Sequence, residues 1–228
     1  YGAGPDCNFD LALLRWGCTA LIDAASRLKI DDPLLPRWKK VLENLSDYPV
    51  DENGYMIARG LSFTKGHRHF SHLLMLYPLY LVNREQAGAE ELMLRSVRHW
   101  HSLGGREGYS FTGASSISSA FGRGDESLEY LNGLKPFLQP NTLYKEAGPV
   151  IETPLSAAQS IHDMLIQSWG GTLRVFPAAP VAWPDMAFHD LSAEGGFRVS
   201  AKRVGGKTRF VRIKSLAGEP CRIRPGLE

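Results

Sequence analysis

Three histidines and an arginine fall within His67-Arg68-His69-Phe70-Ser71-His72, directly after Lys65-Gly66. Imidazole and guanidinium groups at this density form a set of hydrogen-bond donors that can bind sugar hydroxyls or steer a carboxylate. The His-x-His spacing can also chelate a metal. No acidic fourth ligand stands beside it and no cysteine pair has ligand spacing, so no metal and no other cofactor is expected. The alternative is structural: one or two of these histidines cap a helix or satisfy buried carbonyls.

A second candidate is Glu152, inside Glu146-Ala147-Gly148-Pro149-Val150-Ile151-Glu152-Thr153-Pro154. A carboxylate in an apolar, proline-flanked segment before a helix can be partly desolvated and suited to acid or base work. It can equally be held ionised by the helix N-terminus. Its structural reading is charge complementarity in a first turn, with Thr153 as the cap. In Asp6-Cys7-Asn8-Phe9-Asp10, Asp6 or Asn8 can cap the helix that follows, and Asp10 can point into a cleft. Five tryptophans are generous for 228 residues. Aromatic faces stack on sugar rings, although most tryptophans in helical proteins are partly buried core. Trp169, beside Gly170-Gly171, is the candidate for stacking.

Other chemistries are set aside. Gly104-Gly105-Arg106-Glu107-Gly108 lacks the lysine and preceding strand of a phosphate loop. No Gly-x-Ser-x-Gly elbow and no His-Glu-x-x-His helix is present. A net charge of +2 provides no field to recruit nucleic acid or an anionic membrane. No apolar run reaches membrane-spanning length, and Leu73–Val82 is interrupted by Pro78. No leader peptide is visible after Tyr1, and the missing initiator methionine reads as a processed or truncated chain. Cys7, Cys18 and Cys221 are too few for a disulfide framework. Cys7 and Cys18 are close enough for a local bridge, with two thiols in or beside a helix as the preferred reading.

The elements that must carry these residues are mostly helical. Leu11, Leu14, Cys18, Leu21, Ala25 and Leu28 recur at helical spacing, and Asp31-Asp32-Pro33 separate that segment from Leu34–Leu45. Residues 47–54 are turn chemistry. Further helices are expected over His69–Val82, Ala87–Trp100, Ser115–Phe121, Asp125–Leu134 and Leu155–Ser168, the last with Pro154 before it and Gly170-Gly171 after it. Beyond Trp169 short β-rich runs follow at Thr172–Phe176, Gly196–Arg203, Thr208–Ile213 and Cys221–Ile223, with Val204-Gly205-Gly206-Lys207 as a hairpin turn. The chain therefore divides near residue 170, into helical hairpins over 1–170 and a small antiparallel, sandwich-like β domain over 171–228. Such a small sheet is expected to pack against the helices or against missing chain. Helical pairs with short connections suit part of an α/α barrel, a helical repeat or a bundle.

Several of these motifs together resemble a known family. His67-Arg68-His69-Phe70-Ser71-His72-Leu73, continued by Leu76-Tyr77-Pro78, resembles the His-Arg-His-x-Ser-His-Leu…Leu-Tyr-Pro stretch of glycoside hydrolase family 95, the α-L-fucosidases. Gly108-Tyr109-Ser110 with Phe121-Gly122-Arg123-Gly124-Asp125 is similar to its Gly-Trp-Ser…Leu-Gly-Asp segment. Val150-Ile151-Glu152 and Met164-Leu165-Ile166-Gln167-Ser168 are similar to Gln-Ile-Asp…Met-Leu-Leu-Gln-Ser. Phe176-Pro177-Ala178-Ala179-Pro180, Ala182-Trp183-Pro184 and Gly195-Gly196-Phe197 are similar to its tail.

The resemblance implies a mainly α fold, a partial (α/α)6 barrel with a C-terminal β domain. It also implies inverting hydrolysis of a terminal sugar and a secreted or periplasmic setting. In that family a carboxylic acid protonates the leaving oxygen and a carboxylate-supported asparagine activates water, which suits an oxocarbenium-like transition state. The asparagine pair and the acid lie upstream of Tyr1, so the implied partners are a carbohydrate substrate and a missing N-terminal portion of the same protein. On this reading Glu152 is the catalytic carboxylate, with Asp10 a second candidate, and His67, Arg68, His69, His72 and Trp169 bind substrate. Glu152 stands where the family has Asp, and Thr153-Pro154-Leu155-Ser156 where it has Gly-Asn-Phe-Gly. These departures leave open an inactive sugar-binding relative, and a purely structural helical module is the remaining alternative.

Overall fold

A computed structural model describes residues 4–139 and 150–226. The Glu146–Pro149 half of the segment before Glu152 lies outside the described residues. The chain forms two compact units, residues 1–104 and 105–228. The described residues contain six α-helices and small sheets: helical hairpins followed by β structure.

In the first unit, α1 (Asn8–Leu28) packs against α2 (Leu35–Asn44). α1 ends at Leu28, where the helical spacing stops, and its C-cap Lys29 is left-handed with φ 55°. Asp32 then opens α2 by accepting from the Leu34 N–H at 2.8 Å. The turn segment expected at 47–54 closes a two-stranded ribbon, β1 (Val50–Asp51) with β2 (Gly54–Tyr55). Gly54 has φ +116°, and a Cβ there would meet the Ser96 hydroxyl at 2.2 Å, so the ribbon lies directly on α3 (Ala89–Ser102). Ser96 Oγ accepts from the Tyr55 N–H at 3.0 Å and donates to the Leu92 carbonyl at 2.7 Å.

The helix expected over His69–Val82 does not form. Only a single 3-10 turn, Ser71–Leu73, is present, and turns follow. Pro78 has no N–H and disfavours helical geometry at Tyr77, and Tyr80 sits at φ 50°. Phe70, Leu73, Met75 and Leu76 are nonetheless buried. Their apolar spacing reflects core packing of an irregular segment.

The second unit centres on α4 (Gly108–Ala120), between α5 (Gly124–Asn132) and α6 (Glu152–Leu165). α4 starts seven residues earlier than its propensity suggests. A capping box between Glu107 and Ser110 fixes the start, and burial on neighbouring helices outweighs the poor helix formers of Gly108–Gly113. α6 ends at Leu165, and the expected last turn becomes strand β3 (Ile166–Gln167).

β3 pairs antiparallel with β4 (Leu173–Val175), and β4 pairs in parallel with β8 (Ile223–Arg224), so the β region is not wholly antiparallel. The other sheet is an antiparallel meander of β5 (Met186–Ala193), β6 (Phe197–Val204) and β7 (Lys207–Ser215), with the expected hairpin at Gly205-Gly206. Ile166, Leu173, Val175, Phe176, Phe197, Val199 and Ala201 form one core shared by both sheets. The segment after β4 is tied to the helices. Asp125 accepts from the Val181 N–H at 2.7 Å, and Gly124 lies so close to Ala178 that a Cβ would be 2.4 Å from its carbonyl oxygen.

Candidate functional site

The donor loop of the first unit is built on irregular backbone, and its geometry is set by hydrogen bonds within it. The His69 N–H donates to His67 Nδ1 at 3.1 Å, and Arg68 Nε donates to His69 Nε2 at 3.0 Å. Both imidazole nitrogens therefore accept, which places the proton of neutral His67 on Nε2 and that of neutral His69 on Nδ1. The two rings meet edge to face at 5.1 Å, and both residues are exposed. His67, Arg68 and His69 thus place three planar, nitrogen-bearing side chains side by side.

His72 differs from its neighbours. It is 3% exposed and stacks on Phe63 with centroids 4.2 Å apart and planes at 17°. Burial, with a smaller contribution from the charge of His99, pushes its pKa down to about 3. It is neutral across the physiological range and is packed between Phe63 and, edge-on at 6.5 Å, Trp100. Its Nδ1 is buried without a hydrogen-bond partner.

Asp10 is exposed in the first turn of α1, where it complements the helix N-terminus. Neither Asp6 nor Asn8 caps that helix. Cys7 is the N-cap, with no side-chain cap. Asp6 instead accepts from Arg59 at 2.6 Å and from the Ser46 hydroxyl at 3.0 Å, and these bonds hold its carboxyl below the usual range. Asn8 is fully buried and donates to the carbonyls of Pro49 at 3.0 Å and Met56 at 2.7 Å. All three cysteines are free thiols.

In the second unit, Glu152 is the first residue of α6 and is exposed. Ile151 occupies the cap position; Thr153 is not the cap but a buried first-turn residue. Beside Glu152 stands Tyr109, whose phenol is raised by burial and, secondarily, by the Glu152 charge. Tyr109 enters the sequence reading only as part of a motif. Its closeness to Glu152 depends on α4 packing against α6, which no local pattern records. Trp169 is 5% exposed. Its indole N–H donates to Gln167 Oε1 at 3.0 Å, and the Arg174 guanidinium lies 3.5 Å from its ring centroid. That cation–π contact places Trp169 in the core, the alternative weighed for tryptophans generally.

Among the described residues, no group of three or more His, Cys, Asp or Glu side chains is arranged to hold a metal ion. Among them, too, no helix is long and apolar enough to cross a membrane.

The described residues form a mainly helical protein, with helical hairpins followed by β structure. The model of the glycosyl hydrolase family 95 catalytic domain matches residues 4–165, and the chain belongs to that family of glycoside hydrolases. Carbohydrate is therefore the substrate class of the family to which it belongs. Comparison with curated protein sequences returned no match.

Proposed function

We propose that this chain is part of an α-L-fucosidase-like glycoside hydrolase that releases a terminal sugar from an oligo- or polysaccharide with inversion. In this reading residues 1–170 are the C-terminal part of an (α/α)6 barrel and residues 171–228 a small sandwich-like β domain. His67, Arg68 and His69 bind and orient sugar hydroxyls, and His72 supports them. Glu152 is the carboxylate of the mechanism, with Asp10 the second candidate. The remaining catalytic groups belong to an N-terminal portion of the same protein. The observation that carries the reading is the mutual hydrogen bonding of His67, Arg68 and His69, which fixes the donor directions before any ligand arrives. Preorganised donors avoid an entropy cost on binding. Trp169, sequestered against Arg174, is left out of the binding set.

The test is turnover of a panel of aryl glycosides, α-L-fucoside included, by the longest form of the protein. Hydrolysis of the fucoside is expected. In the same form, Glu152→Gln should lower kcat by about 100-fold or more with little change in KM. An unchanged kcat removes Glu152 from the mechanism. The Glu152-Thr153-Pro154-Leu155-Ser156 departures favour one second reading, a sugar-binding relative without turnover. It predicts stabilisation by sugar and no released product.

A further inference from the structure

The loop that carries His67, Arg68 and His69 has little regular structure of its own, yet the last turn of α3 and the residues just past it hold it at three points. His99 Nε2 lies 2.6 Å from the Phe63 carbonyl oxygen. A carbonyl only accepts, so His99 carries a proton on Nε2. The Trp100 indole N–H donates to the His67 carbonyl at 2.8 Å. Just past the helix, Gly104 meets Gly66 so closely that a Cβ on Gly66 would lie 1.6 Å from the Gly104 carbonyl oxygen. The anchors are themselves braced. Trp100 is wholly buried and packs against Phe70 at 5.5 Å and His101 at 4.6 Å. Phe63 is gripped twice, its carbonyl by His99 and its ring by His72.

We infer that His99 and Trp100 are positioning residues of the sugar-binding loop. They touch no sugar, and they fix the backbone from which His67, Arg68 and His69 project. This rests on the sugar-binding reading of those three residues. Both hydrogen bonds end on carbonyls at the two ends of the segment 63–67, so losing either frees one end of the loop without removing a donor from it. A hydroxyl-binding array tolerates little misplacement, since its hydrogen bonds weaken steeply away from ideal distance and angle.

Three variants in the full chain test this: His99→Leu, His99→Gln and Trp100→Phe. Backbone amide hydrogen exchange over residues 63–69 and Michaelis kinetics on an aryl α-L-fucoside are the readouts, with L-fucose binding by calorimetry alongside. In His99→Leu and Trp100→Phe, exchange over 63–69 should rise by about tenfold while α1 is unchanged. KM should rise by about tenfold and kcat should fall by less than about twofold. His99→Gln keeps an N–H donor and should restore both readouts. Trp100→Phe opens a buried site and can fail to fold; His99 is half-buried and carries the test in that event. Unchanged exchange over 63–69 in His99→Leu overturns the inference, as does equal loss in His99→Leu and His99→Gln. If the unaltered chain neither hydrolyses the fucoside nor binds L-fucose, the sugar reading fails, and the exchange rates then decide the anchoring alone.

Discussion

Around the donor loop, backbone carbonyls are held by large side chains of a helix, the imidazole of His99 and the indole of Trp100. Across α4, α5 and α6, small hydroxyls pair with one another: Ser115 and Ser119 with Ser127, Ser116 with Ser160, Thr112 with Ser156. The first arrangement fixes an irregular backbone with few, widely spaced contacts. The second lets three regular helices approach closely while satisfying every hydroxyl it buries in those pairs. An irregular segment has no internal ladder to satisfy its carbonyls, so an outside donor must reach each one. A helix satisfies its own backbone, and its side chains are free to be small. Exposed polar groups on the first kind of region, such as His67 and His69, are therefore held through backbone anchored from outside.

The largest expected effect follows from that contrast. Gly66→Ala places a methyl against the Gly104 main chain, which cannot rotate away as a side chain would. A loss of about 3–4 kcal/mol in denaturant unfolding is expected. A loss below about 1 kcal/mol would mean that the loop shifts freely and that its contact with the end of α3 is not a clamp.

The same contrast governs what could be read from sequence. α1, α3 and α6 follow from apolar spacing and flanking punctuation, and the β6–β7 hairpin follows from alternation around Gly205-Gly206. β5 was not legible. Its apolar residues fall at Met186 and Phe188, then at Leu191 and Ala193, because a bulge at Asp190 shifts the phase between the halves. His69–Val82 reads as a helix because a buried irregular segment and a helix can share apolar spacing, and only Pro78 argues against it. At the candidate site, the density of His67–His72 was visible, but its division into exposed His67 and His69 and buried His72 was not. His99 and Trp100 were legible only as polar aromatics near a helix end. Their partners lie more than 30 positions away, beyond any local pattern.

The next effect concerns pH. The pKa of His72 is about 3 in the folded chain against 6.5 ordinarily. Below pH 6.5 the unfolded chain binds a proton that the native chain refuses, so stability falls as pH drops toward 3. The slope is about 1.4 kcal/mol per pH unit, or roughly 3 kcal/mol between pH 6 and pH 4. His72→Phe keeps the stack on Phe63 and removes the titration. The difference in unfolding free energy between the two proteins should therefore grow in favour of the variant as pH falls. Parallel pH profiles would show that His72 accepts its proton in the folded state.

The smallest effect probes the helical side of the comparison. Ser127 has one proton and two lone pairs, and it has three neighbours within reach: the Ser115 carbonyl at 2.8 Å, Ser115 Oγ at 2.9 Å and Ser119 Oγ at 2.7 Å. Donation to the carbonyl and acceptance from both hydroxyls uses its full capacity. Ser127→Ala strips a partner from two buried hydroxyls at once and should cost about 2 kcal/mol. Removing the stranded hydroxyls as well, in Ser115→Ala/Ser119→Ala/Ser127→Ala, should recover most of that loss, since methyl groups need no partner and alanine favours the helix. Recovery would show that the hydroxyls are paired because they are buried, and that close approach of α4 and α5 depends on small size alone. If the triple variant instead loses the sum of three single losses, the hydroxyl network itself holds the helices together. The two regions would then differ in the size of their polar anchors and not in their dependence on them.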